Sequence, residues 1–94
     1  VLVAGSTSGI TNFGGGVIGA GSSGDAVTLR LDKDLVHVAS RSYGSVGLDR
    51  FFDLVVDSEG KAVLVGDAVD GVDLGLGPIT GSGGSDMLVA RITP

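Results

Sequence analysis

Asp67, Asp70 and Asp73 stand three residues apart on a glycine-containing segment, a gathering of hard oxygen donors that would suit calcium if it suited any ion. Calcium loops place acidic or amide side chains at alternate positions around a fixed glycine. This spacing differs, so the trio is read as solvated turn aspartates. His37 is the sole histidine. Strand alternation puts it on one face with Leu35, Ala39 and Arg41, and puts Ser40 and Ser42 on the other. A histidine base needs its nucleophile within hydrogen-bond reach, so no Ser/His/Asp triad is expected.

Three glycine motifs point toward phosphate chemistry and fall short of it. The opening VLVAGSTSGI has an apolar run feeding a glycine turn, but Thr11, Asn12, Phe13, Gly14, Gly15 and Gly16 follow, where a dinucleotide site needs a helix N-terminus. Gly19, Gly21 and Gly24 spell G-x-G-x-x-G, yet Asp25 to Leu31 beyond them is strand-like. Gly60-Lys61 is followed by Ala62 and lacks the upstream glycine of a phosphate loop. The chain is therefore expected to be non-catalytic and to carry no cofactor.

Composition describes what must position these residues. In 94 residues, 43% are hydrophobic and only 4% aromatic, so burial rests on Val, Leu, Ile and Ala, which suit sheets covered on both faces. A net charge of -5 comes from ten Asp and one Glu, favouring the acid of turns over the acid of helices. The six basic residues are scattered, which excludes a phosphate-compensating patch, and no long apolar segment is present. Neither nucleic acid nor membrane insertion is expected. Cysteine is absent, which excludes disulfides and thiolate chemistry. Without an initiator Met, the chain reads as a piece of something longer or as a processed product.

Short β-rich runs bounded by Gly, Asp and Ser predict six strands: 1–5, 25–31, 35–42, 50–57, 62–67 and 86–92. Ser58, Glu59 and Gly60 form one tight hairpin connection, and Asp32, Lys33 and Asp34 another. Two glycine-rich arms, Ser6 to Gly24 and Ala68 to Ser85, join the rest.

The last third of the sequence repeats the first, 61 residues on: Gly5 returns as Gly66, Gly14 as Gly75, Asp25 as Asp86 and Arg30 as Arg91. Units that repeat at such a period bury their faces against copies of themselves. The recurring aspartates are expected to accept backbone N–H bonds from the preceding turn, and the arginines to form an ion pair or capping contact. One period holds four strands, which is the content of an antiparallel propeller blade.

The stretch RSYGSVGLDRFFDLVVDSEGKAVLVG, from Arg41 to Gly66, resembles the bacterial β-propeller repeat of the SBBP type. That family runs through YGG-x-G-x-D, an apolar strand, VD-x-x-G and V-x-V-x-G. GSTSGITNFGGG at Gly5 to Gly16 and the GGSD signature at Gly83 to Asp86 extend the likeness, echoed by SGDAVTLRLD from Ser23. Ala26 and Met87 stand where the family usually carries an aromatic, and Asp67 where a small residue is common. The resemblance implies propeller blades in secreted or cell-surface bacterial proteins, with no catalytic activity to carry over.

Six strands make one and a half repeats, so residues 1–94 are expected to form a partial propeller. Residues 1–42 would supply strands and the arm of a first blade, and 50–94 those of a second. Open blades require partners: the rest of a longer propeller chain, or other protein chains. Two functions fit. One is a structural or recognition segment whose loops meet protein or glycan; the other is a self-assembling fragment that completes blades across chains into a ring or filament.

Overall fold

The computed structural model describes residues 1–19, 24–44, 47–69, 71–74 and 84–94. Its strands are β1 (Leu2–Ser8), β2 (Thr11–Asn12), β3 (Val17–Ile18), β4 (Gly24–Leu31), β5 (His37–Tyr43), β6 (Arg50–Val56), β7 (Ala62–Val69) and β8 (Ser85–Ile92), with no helix among the described residues. The fold is all-β and antiparallel throughout. All six expected strands are present. Two more, β2 and β3, form a small hairpin inside the first glycine-rich arm, where only a connection was expected.

The long strands make two sheets of three, β1-β4-β5 and β6-β7-β8. Among the described residues neither shows the four strands expected of a blade. The β1–β4 ladder runs from Leu2↔Arg30 to Ser8↔Gly24, and the β7–β8 ladder repeats it from Val63↔Arg91 to Val69↔Ser85, each pair displaced by the same 61 residues. One more pair, Ala62↔Ile92, lengthens the second ladder at its end.

Alternation sets what meets between the sheets. Along β7, Ala62, Leu64, Gly66 and Ala68 are buried while Val65, between them, is exposed. That buried face, joined by Leu88 of β8 and Phe51 of β6, packs on Ala26 and Tyr43 of the first sheet, with Leu2 and Ala4 beside them. Tyr43 and Phe51 meet edge to face at 5.7 Å, an arrangement that sets the positive ring edge against the negative face. Removing this apolar surface from water is worth roughly 25 cal/mol per Å².

The two tight connections share one design. Asp32 Oδ1 accepts bonds from Asp34 N (2.8 Å) and Val36 N (3.0 Å), and Asp57 Oδ1 accepts them from Glu59 N (2.9 Å) and Lys61 N (3.0 Å). Each loop closes with the aspartate's own N–H bonded to the last residue's carbonyl. Each also needs one left-handed residue: Gly60 at φ 78° in one, Leu35 at φ 64° in the other. Leu35 therefore belongs to the turn, and β5 starts at His37 instead of at residue 35.

Candidate functional site

His37 and Ser40 come together. A β-bulge pairs Leu31 with His37 but Arg30 with Ala39, leaving Val38 extra and turning Ser40 onto the histidine's side of the strand. His37 Nε2 lies 3.0 Å from Ser40 Oγ. This corrects the expectation of opposite faces, which assumed an unbroken two-residue period. The first glycine-rich arm folds back on the pair. Gly15 lies against the imidazole so closely that a β-carbon there would strike the ring, and Gly14, at φ 115°, borders His37 Cβ. Gly19 N donates to Ser42 Oγ at 3.2 Å, tying the arm to β5. Asn12 Oδ1 accepts from Gly14 N (2.8 Å) and Gly16 N (3.3 Å), fixing the turn between β2 and β3.

A histidine bonded to a serine is two-thirds of a nucleophilic constellation; the third part is a group that orients the base. Among the described residues no carboxylate is hydrogen-bonded to the imidazole. The His37–Ser40 bond lies within β5, and the polar tie from arm to sheet is the one from Gly19 N to Ser42 Oγ. Ile10, Phe13 and Val17 are exposed around the hairpin.

The aspartates divide by location. Asp67 is bound by Arg50 through two parallel contacts, Nε to Oδ1 at 3.0 Å and Nη2 to Oδ2 at 2.6 Å, and Arg50 also lies 5.0 Å over the Phe52 ring. That guanidinium holds Asp67 below the usual carboxylate range, burial opposing and Ser85 assisting. A carboxylate so paired is a poor cation ligand. Asp73 is exposed, and Asp70 lies outside the described residues. No group of three or more metal-ligating side chains occurs among the described residues.

Asp49, which sequence reasoning had not singled out, is fully buried. Its N–H donates to the Gly24 carbonyl at 2.8 Å and its Oδ1 accepts from Val69 N at 3.0 Å, so it ties the start of β4 to the end of β7. The available signal was its place in the G-x-D portion of the motif at Gly47 to Asp49.

The recurring positions behave unequally. Asp25 is 2% exposed, and its Oδ1 has no hydrogen-bond partner, so that oxygen receives none of the turn N–H bonds expected of it. Its equivalent, Asp86, is half-buried on β8 opposite Ala68. Arg91 makes the expected ion pair, at 2.8 Å to Asp57 and 2.7 Å to Glu59. Arg30 has no acidic partner among the described residues; it borders a groove of about 400 Å³ with Val1, Leu2, Val56, Thr93 and Pro94. Gly75 lies outside the described residues.

Comparison with protein-family models, curated proteins and solved structures finds no match for this chain.

Proposed function

We propose that this chain is a non-catalytic structural or recognition segment of a secreted or cell-surface β-propeller, its two sheets being parts of neighbouring blades. The observation that carries the reading is the shared register: seven successive pairs of β1 and β4 recur in β7 and β8 at one displacement. Two copies of one unit, stacked so that a face of one covers a face of the other, are what a repeat architecture requires. The contact surface for a protein or glycan ligand is the β2–β3 hairpin. There Ile10, Phe13 and Val17 stand out from a turn held by Asn12, and a turn already fixed loses little freedom on binding.

The test is a screen of the immobilised chain against a glycan array and a peptide panel, alongside the double variant Ile10→Lys, Val17→Lys. Binding lost in the variant, with its circular dichroism retained, supports the reading. Binding that survives places recognition elsewhere. Ester turnover abolished by Ser40→Ala would overturn the non-catalytic assignment.

A second reading, self-assembly, is favoured by the outer faces. Ala26 and Thr28 are 0% and 4% exposed, whereas Met87 and Val89, at the equivalent positions of β8, are 89% and 65% exposed. On the opposite faces the imbalance reverses at one rung, where Leu64 is 0% exposed and Val3 44%, while Val27 and its equivalent Leu88 are both buried.

A further inference from the structure

Gly5 and Gly66 occupy the same rung of their ladders, Gly5 opposite Val27 and Gly66 opposite Leu88. Their surroundings differ. Strand β7 has neighbours on both edges, whereas among the described residues β1 pairs with β4 alone. Over Gly66, β6 carries its own bulge: Phe51 pairs with Gly66 and Asp53 with Val65, leaving Phe52 as the extra residue. The bulge drives the Arg50 carbonyl and Phe51 Cα onto the glycine, the latter to 2.9 Å from where a β-carbon would sit, so only glycine fits. Over Gly5 no atom of the described residues lies within 4 Å of that position.

A glycine inside a strand costs about 0.5–1 kcal/mol relative to alanine, and nothing in the first sheet requires one at Gly5. The rungs beside it carry the rest of the pattern: on β7, Leu64 pairs with Leu54 of β6 and Ala62 with Val56, and their equivalents on β1 are Val3 and Val1.

We infer that the free edge of β1 is a receptor for an added antiparallel strand of the β6 pattern. The occupant is a bulged apolar strand that sets an aromatic residue over Gly5, an extra residue next, then leucine opposite Val3 and valine opposite Val1. Opposite Ser6 it needs no arginine, because Ser6 lacks the carboxylate with which Asp67 holds Arg50. Main-chain hydrogen bonds would supply the attachment and the bulge over Gly5 the register, as in strand addition generally. This inference rests on the propeller reading, since it takes the two sheets as copies of one unit.

The test adds to the full chain a synthetic peptide with the sequence of residues 49–57 and follows amide hydrogen exchange by NMR. The expected result is at least about tenfold slower exchange at alternate amides of Leu2–Ser8. That protection should disappear with a peptide lacking the residue that corresponds to Phe52, and with the chain variant Gly5→Val. Open space over Gly5 lets the variant fold, which circular dichroism checks. A peptide N-methylated at alternate amides gives a second control that leaves the chain untouched. No protection at peptide excess, protection confined to other edges, or binding unaffected by Gly5→Val and by loss of the bulge residue would each overturn the inference. Failure of the propeller reading has a separate signature: cross-strand contacts Leu2–Arg30 and Val63–Arg91 missing from the free chain.

Discussion

Leu35 carries the clearest single-residue liability in the chain. It stands in the loop position that Gly60 fills in the sister hairpin, at φ 64°, where a β-carbon crowds the following carbonyl. Its side chain is exposed, so little burial is lost on removing it. Leu35→Gly is expected to stabilise by about 1 kcal/mol, raising the thermal midpoint by roughly 4–8 °C for a domain of this size. Gly60→Leu should lower it by a similar amount. Differential scanning calorimetry on both variants measures the pair; a lower midpoint for Leu35→Gly would mean that the leucine makes a contact outweighing its backbone cost.

Two carboxylates make stability depend on pH. Arg91 holds Asp57 low, and Arg50 holds Asp67 low. A carboxylate whose folded pKa lies below its unfolded value, about 3.9 for aspartate, binds more protons in the unfolded state. Its contribution is fully present above that value and is lost as pH falls through the folded pKa. The thermal midpoint should therefore be flat near neutrality and fall below about pH 4. Asp67→Asn should reduce the steepness of that fall, and added salt should weaken the effect, because both arginines are partly solvated. An acid slope unchanged in Asp67→Asn would remove the Arg50 pair from the account.

At the scale of strands, the elements legible in the sequence were those that composition and turn chemistry determine alone. Asp57 to Lys61 announced its hairpin, and the β-branched runs around it announced β6 and β7. The bulges at Val38 and Phe52 were not legible, because an extra residue is defined by the partner strand's register and leaves no local mark. That gap concealed the meeting of His37 with Ser40, and it concealed why Gly66 is a glycine. Asp49 was hidden for a related reason: an acid between short loops reads as solvated until its partners, Gly24 and Val69, arrive from distant segments. Asp49→Ala leaves the Val69 N–H without its acceptor and should cost about 1–3 kcal/mol. Urea denaturation reads this as a lower midpoint at unchanged slope. A variant with wild-type stability would mean that the tie from β4 to β7 contributes nothing to holding the sheets together.

For the molecule as a whole, the two sheets stack head to tail, and this bears directly on association. The face of the first sheet that covers the second carries Ala4, Ala26 and Thr28; the equivalent face of the second carries Val65, Met87 and Val89, and is bare. Val55 extends it, beside a shallow depression of about 220 Å³ that Val55 lines together with Asp53, Leu54, Val63 and Val65. Asp67 and Arg91, on the same side of the sheet by alternation, are already ion-paired, so their charges present a smaller barrier to burial than free ones would. An interface that joins unlike faces generates a ring when its rotation closes and a filament when it does not. The chain should accordingly gain mass with concentration in light scattering after size exclusion. Met87→Lys with Val89→Lys should hold it monomeric, with its β-sheet dichroism intact. A monomer at all concentrations in the parent chain would rule out self-stacking and leave cover of this face to a different partner. A discrete oligomer would indicate a closed ring, and steadily growing mass an open filament.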